Sequence, residues 1–405
     1  MKISAIITEF NPLHLGHEYF IRKVRERSCP DYLVAVMSGD FVQRGEPALF
    51  SKYARAEAAL YAGADLVLEL PVRYALSSAG SFAAGAVNIL NCLGCTDELW
   101  FGSESGNIND FLDLSAFLAH EPDSFRSLIA EALKGGFPYP AARAAAVEKL
   151  CGKEAAALLS GSNNVLGLEY CSSAVRSGAS FSLHTIKREG SNYNDTDPGG
   201  TYPSAAAVRN EFSRGGLHAV SQLVPAYSYE LMKKEPGGLA ADDFSLLLRY
   251  RLLGESAESL SEYSEVTPDL ARRIKNLENG FSSLSDFAMK IKTRNITYTH
   301  VSRALFSIIL GMKKAAAAGP SAEVKASSDG PSVRPYIRIL GMKDCGPLIS
   351  RINDAGTARL FTRPAAVPED EYRQDMYASD LYESVRSYRF RTPFVQECSR
   401  KFIKL

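Results

Sequence analysis

Residues 3–20, Ile3-Ser4-Ala5-Ile6-Ile7-Thr8-Glu9-Phe10-Asn11-Pro12-Leu13-His14-Leu15-Gly16-His17-Glu18-Tyr19-Phe20, begin with an apolar β-branched run and pass through a polar turn at Asn11-Pro12. Tyr19, Phe20 and Val24 then recur among charges as they would on one face of a helix. The run predicts a strand over residues 3–7, and the periodicity a helix from about Glu18 to Arg27. The alternation returns downstream: strands over 32–37, 65–70 and 98–101, with helices over 52–62 and 77–93. Strands alternating with helices predict a parallel sheet covered on both faces, an α/β Rossmann-like architecture. In such sheets ligands bind outside the carboxyl ends of the strands, which here are followed by EFNPLHLGH, SGDFVQRGEPA, ELPVRY and GSESG.

The 405 residues, 46% hydrophobic and 23% charged, can bury a sizeable core and imply more than one domain. From about Leu217 the pattern becomes helical, as in DDFSLLLRYRLLG, SLSDFAMKIK and THVSRALFSIILGMKK. This predicts a first domain over 1–215 and a mainly α-helical C-terminal domain over 216–405. Residues 314–332 are small, polar and rich in Gly and Pro, as suits a flexible loop. RPYIRILG after them reads as a strand, and a last basic stretch running to Leu405 reads as helical. The 46 basic and 46 acidic residues cancel, which excludes a protein held to nucleic acid by overall charge but leaves room for a local basic face. The opening apolar run is too short for a signal segment, and no later run reaches about 18 apolar residues, so a cytoplasmic protein without a membrane span is expected. Seven scattered cysteines fit reduced thiols, and no disulfide is expected.

The turn after the first strand carries the chemistry. Helix N-terminal amides there face any bound anion, so the turn is a natural seat for a nucleotide phosphate. Gly16 lets the backbone approach closely, while His14 and His17 can both donate hydrogen bonds to phosphate oxygens as charge builds at phosphorus. Two histidines near a turn could instead cap the helix or bind a metal, but no third ligand with usable spacing lies nearby, and no metal site is expected. Cys92 and Cys95 lack a second pair and read as core residues; His120, His184 and His218 read as isolated surface or core histidines. Residues 287–314 hold Lys290, Lys292, Arg294, Arg303, Lys313 and Lys314 with no acidic residue, and Tyr298 and His300 lie among them. The tail adds Arg386, Arg389, Arg391, Arg400, Lys401 and Lys404 against Glu397. Both stretches can neutralise phosphates, or can be ordinary solvated helix faces.

Taken in order, TEFNPLHLGHEYF, MSGDFVQRGEPALFSKYARAEAAL, LVLELP, FGSESG, SNNVLGLEY, KREGSNYND, SAAAVR, NITYTHVSRALFSIIL, RPYIRILGM and DMYASDLY resemble the bacterial tRNA(Met) cytidine acetate ligases, a branch of the HxGH nucleotidyltransferases. The resemblance implies an ATP-dependent enzyme that activates acetate as acetyl-adenylate and passes the acetyl group to the wobble cytidine of elongator tRNA(Met). It implies catalytic roles for His14 and His17 and an ATP loop made of Ile7, Thr8, Glu9, Phe10, Asn11, Pro12, Leu13, His14, Leu15, Gly16, His17 and Phe20. Further ATP contacts are implied at Gly102, Asn163 or Asn164, Arg188, Ser204 and Arg209. Gln43 and Arg44 are implied at the acetate or transfer site, and Lys290, Lys292, Arg294 and Arg303 in tRNA docking. Magnesium is expected as the counter-ion of ATP.

Two positions depart from the family pattern. Ala206 stands where relatives tend to carry a hydroxyl, which puts a phosphate contact there in doubt. Asp40 would repel acetate or phosphate unless it points away or meets a cation. Rival readings are a small-molecule adenylyltransferase of the same superfamily, whose members usually lack the second domain, and a non-catalytic RNA-binding protein, which retained ATP turnover would exclude.

Overall fold

The computed structural model describes residues 1–189, 202–314, 335–367 and 369–405. The loop expected at 314–332 therefore lies almost wholly outside the described residues, as do the ends of the KREGSNYND and RPYIRILG motifs.

Among the described residues ten strands are formed: β1 Ile3–Thr8, β2 Tyr32–Ser38, β3 Phe41–Val42, β4 Glu46–Pro47, β5 Leu66–Leu70, β6 Glu98–Ser103, β7 Ser182–Lys187, β8 Tyr336–Met342, β9 Arg359–Phe361 and β10 Ile403–Lys404. The main sheet has the order β10-β8-β5-β2-β1-β6-β7, with β9 beside β8. β1, β2, β5, β6 and β7 are parallel, as the alternation of strands and helices predicts. Their near-continuous apolar runs are what a sheet buried on both faces requires. Val34, Val36, Leu66, Leu68 and Leu99 face one core with the helices Ala79–Leu93 and Ser162–Ser177. Ile6, Ala35, Met37, Val67 and Trp100 face the other core, with the helices Leu15–Ser28 and Lys52–Ala62.

The four strands and three helices predicted from the sequence to frame the first sheet form within a few residues of expectation. The helix expected over 77–93 is preceded by a separate turn, Val72–Ala75, and starts at Ala79, where Ser78 accepts from the Ser81 amide. Between β6 and β7 the chain inserts further helices, of which Ile108–His120 and Ser162–Ser177 pack on the sheet core.

Beyond residue 215 the chain is mainly helical, with Ser245–Gly254, Pro268–Leu277, Leu284–Ile291, Tyr298–Ile309 and Glu369–Phe390 around their own core of Phe244, Phe287, Phe306 and Tyr382. The strand read in RPYIRILG is present, but it does not stay with the helices. As β8 it runs antiparallel to β5, with Leu66 opposite Met342, and Ile337 and Ile339 enter the core of the first sheet. The final basic stretch also differs from expectation. Its helix ends at Phe390, Arg391 takes a left-handed φ of 55°, Pro393 follows, and the chain then returns to the sheet as β10. Among the described residues no helix is long and apolar enough to cross a membrane.

A buried ionic cluster joins the two parts. Lys52 Nζ, fully buried, lies 2.8 Å from Glu69 Oε1 and 3.0 Å from Glu397 Oε1, and donates to Ser379 Oγ at 2.8 Å. Tyr372 donates to Glu69 Oε2, Tyr53 to Glu397 Oε1, and Asp375 accepts from the Val72 amide at 2.6 Å. One lysine near the start of the chain is thus held by carboxylates from β5 and from the carboxyl-terminal tail.

Candidate active site

β1 ends at Thr8, and the next residues turn sharply: Phe10 adopts a left-handed φ of 48° and the Asn11-Pro12 bond is cis. A bulky residue keeps such a φ only when its surroundings fix it, and Phe10 is buried with its ring edge-on to His17 at 5.1 Å. His14 is the extended N-cap of the helix Leu15–Ser28, and its Nδ1 accepts from the Gly16 amide at 3.1 Å. Neutral His14 therefore carries its proton on Nε2, as a donor. The His14 amide approaches His17 Nδ1 at 3.4 Å, and the two rings stack at 3.7 Å. A Cβ on Gly16 would lie 3.0 Å from the His14 ring, so glycine is needed there by close approach.

Burial pushes His14 well below the usual histidine range, assisted by His17, Arg188 and Arg209. His17 is lowered to about 3, by burial first and then by Arg188, against a hydrogen bond with the Pro12 carbonyl. Both histidines are uncharged at neutral pH. They can offer N–H donors to an anion without repelling the neighbouring arginines.

The pocket above this turn gathers residues from five places. Ile7, Thr8, Glu9, Phe10, Asn11, His14, Gly16, His17 and Phe20 line it from the first strand, turn and helix; Gln43 and Arg44 from the β3–β4 hairpin; Gly102 from β6; Asn163 from the helix Ser162–Ser177; and Arg188, Ala206 and Arg209 from beyond β7. Phe82, Phe101, Leu166 and Tyr170 supply an apolar wall. Thr8 Oγ1 and Asn11 Nδ2 are buried and make no hydrogen bond among the described residues, while lining the pocket. A polar, phosphate-bearing ligand with a flat base suits this combination of donors and apolar wall.

Some expected contacts have structural work instead. Asn164 Oδ1 accepts from the amides of Glu104 and Ser105, and the Glu104 carboxylate in turn accepts from the amides of Asn163 and Asn164 at the head of their helix. Of the two asparagines, only Asn163 lines the pocket. Ser204 is fully buried and caps its helix by accepting from the Ala207 amide at 3.0 Å, and Pro12, Leu13 and Leu15 lie outside the lining. Arg209 reaches back to the Asn11 carbonyl at 2.8 Å and to Glu46 at 3.0 Å, which ties hairpin and turn together. Gly102 leaves room for Arg188, whose Cγ would lie 3.4 Å from a Cβ there.

The concern over Asp40 is resolved by its partners. Its carboxylate accepts from the Lys52 amide at 2.9 Å, capping the helix Lys52–Ala62, and it faces the Arg55 guanidinium. Asp40 does not line the pocket. Arg55 itself is a residue that sequence reasoning missed. It is buried and donates to the carbonyls of Glu9, Ser38, Gly39 and Phe50, pinning the loops after β1 and β2. Its only signal in the sequence was an arginine inside an otherwise Ala-rich amphipathic helix.

The basic segment divides. Lys290, Lys292 and Arg294 are exposed, with Lys290 paired to Asp286 at 2.6 Å. Arg303 turns inward: it is buried, pairs with Glu265 at 3.0 Å and reaches the Gln43 carbonyl at 3.4 Å, so it supports the hairpin and is not on an exposed face. In the tail, Arg386 and Arg400 are bound to Glu383, and Arg386 also to Glu235, which removes them from a free basic patch. His300 Nε2 donates to the Glu265 carbonyl at 2.9 Å, and the residue is only part-buried. Among the described residues no three His, Cys, Asp or Glu side chains gather as a metal site.

Comparison with known proteins finds similarity along nearly the whole chain. The HIGH Nucleotidyl Transferase family profile matches residues 1–393. The tRNA(Met) cytidine acetate ligase of Clostridium acetobutylicum is 35% identical over 377 residues, covering 87% of this chain and 91% of that protein. The protein of the same name from Kosmotoga olearia is 36% identical and covers 94% of each. Among solved structures, Thermotoga maritima TmcAL in an apo form superposes with a TM-score of 0.90 at 30% identity over 100% of both chains, and the same protein bound with alpha-thio ATP superposes with a TM-score of 0.86. A strand and turn that present two uncharged histidines at a helix head, within a match running through nearly the full length of both sequences, make this chain a member of the tRNA(Met) cytidine acetate ligase family of HIGH nucleotidyltransferases.

Proposed function

We propose that this protein is an ATP-dependent ligase that joins acetate to the α-phosphorus of ATP, releasing pyrophosphate, and transfers the acetyl group to the wobble cytidine of elongator tRNA(Met) as N4-acetylcytidine. The observation that carries the reading is the His14–Gly16–His17 turn, which directs uncharged imidazoles into a pocket bounded by Arg188, Arg209 and Arg44. Acetate is a poor acyl donor until its oxygen is bound to a good leaving group, and the exocyclic amine of cytosine is a weak nucleophile. Activation therefore precedes transfer, and one pocket must serve both steps.

In the first step His14 and His17 donate to the phosphate oxygens as charge grows at phosphorus, and Arg188 and Arg209 neutralise the polyphosphate. Gly102 and Asn163 contact the nucleotide, and Gln43 and Arg44 hold acetate against it. Magnesium accompanies the phosphates as their counter-ion, supplied with ATP. Residues 216–405 dock the tRNA, with Lys290, Lys292 and Arg294 meeting its phosphates.

The test incubates the purified protein with ATP, radiolabelled acetate and total tRNA without coenzyme A, digests the RNA and looks for labelled N4-acetylcytidine. Its appearance is the expected result; pyrophosphate exchange driven by another acid, with no labelled nucleoside, would assign the protein to a different ligase. The variant His17→Ala is expected to lose at least about 100-fold in acetate-dependent exchange, the usual scale for removing such a donor. Its tRNA affinity by filter binding should change little, and loss of both together would contradict the division of roles.

A further inference from the structure

Transfer of the acetyl group leaves one proton to account for. When cytidine N4 attacks the acetyl carbon of acetyl-adenylate, the N4–C bond forms, the bond from acetyl carbon to the phosphate-linked oxygen breaks, and its electron pair leaves with AMP. The amine must also give up a proton, because an N-acetylated amine that kept both hydrogens would be a strongly acidic cation. This reasoning rests on the function proposed above.

Of the lining groups able to take that proton, most are committed. His14 uses Nδ1 as acceptor of the Gly16 amide and carries its hydrogen on Nε2. His17 is held uncharged beside Arg188, so it too resists protonation. Glu189 is hydrogen-bonded with the Tyr19 phenol. Glu9 differs from all of these. It sits on the turn after β1, between the histidines and the hairpin, and only its Oε1 is engaged, by the Gln43 amide at 2.7 Å. Oε2 accepts no hydrogen bond among the described residues, and the side chain remains part-exposed on the pocket wall.

We propose that Glu9 is the general base of the transfer step: its Oε2 takes the N4 proton as the N4–acetyl bond forms and AMP departs. The resulting carboxylic acid returns the proton to solvent once the acetylated RNA has left, and no other reactant is consumed. The position of the base is set from outside the turn. Gln43, which holds Oε1, lies on the hairpin, and its own carbonyl accepts from Arg303 while the Gly45 carbonyl accepts from Ser302. The helix Tyr298–Ile309 therefore fixes the carboxylate through the hairpin. Burial raises the Glu9 carboxyl above its usual range, against the lowering effect of the Gln43 amide, Arg209 and Arg44, which makes it a stronger base than an exposed glutamate.

The test separates the two half-reactions in the full-length protein. Glu9→Gln keeps an oxygen for the Gln43 amide and removes the basic one. Acetate-dependent ATP–pyrophosphate exchange reads adenylation, and labelled acetate on tRNA(Met) in a single turnover reads transfer. The ratio of transfer to exchange is expected to fall at least about 100-fold in the variant, within the range for loss of a general base. Glu9→Asp should recover part of that ratio, and the rise of transfer with pH in the parent should flatten in Glu9→Gln. Equal transfer in Glu9→Gln and parent would overturn the proposal and assign the proton to the departing phosphate. A parallel fall of both half-reactions would overturn it too, leaving Glu9 a role in adenylation alone. Absence of acetate-dependent exchange in the parent protein is a separate failure, that of the acetate reading itself.

Discussion

At the scale of single residues, the two histidines show how burial decides chemistry. Desolvation and the nearby Arg188 keep both neutral, with Arg209 adding to the effect at His14. They therefore meet the nucleotide as neutral N–H donors, and ATP binding is expected to draw in no proton through them between about pH 7 and 8. Calorimetry in buffers of different ionisation enthalpy measures this, and uptake of about one proton or more would contradict it. The same depressed values act on folding in a defined direction. Below about pH 6.5 the unfolded chain binds a proton that folded His17 refuses, so stability is lost as pH falls through the window from there towards 3, by about 1 kcal/mol per pH unit, and buried His14 acts in the same direction. His14, Gly16 and His17 were legible in the sequence because strand, turn and helix are local patterns. Arg55 and the partners of Asp40 were not, because four carbonyls from three separate loops meet one guanidinium only after folding.

Among elements, the β3–β4 hairpin shows how a short piece of sheet can carry a site. Its strands have two residues each, so no periodicity betrays them, and FVQRGEP reads as loop. Gly45, with φ of 79°, lets the hairpin lie against the backbone of Ser302 and Arg303, where an added Cβ would come within 2.4 Å of the Arg303 nitrogen. Gly45→Ala is expected to cost about 1–3 kcal/mol in denaturant unfolding, from a left-handed backbone forced on a residue with a side chain. Displacement of Gln43 and Arg44 by about 1 Å should also lower kcat/KM for acetate about 100-fold in exchange assays. An alanine variant with unchanged kinetics would detach the hairpin from the acetate site. Arg303 belongs to the same lesson: sequence showed a basic run, and only packing distinguishes an inward arginine from its exposed neighbours.

For the molecule as a whole, the strand RPYIRILG was recognisable, but its partner was not, because pairing with β5 is a contact between distant parts of the chain with no local trace. The ionic cluster around Lys52 follows from that return. Lys52→Met leaves Glu69 buried without its ion-pair partner and Glu397 with only Arg338, 3.7 Å away, and is expected to cost about 3–5 kcal/mol. In the parent protein, scanning calorimetry should show one cooperative transition, since the cluster and β8 join the sheet to the helical part; two well-separated transitions would disprove that coupling. The closing strand also has a consequence for biosynthesis. β5 leaves the ribosome with one edge unpaired, and its neighbour β8 is made roughly 270 residues later, which at ~5–20 residues per second is about 14 to 54 s. Throughout that interval the nascent chain offers an apolar strand edge to any other nascent chain, so chaperone occupancy on translating ribosomes should persist until β8 has emerged.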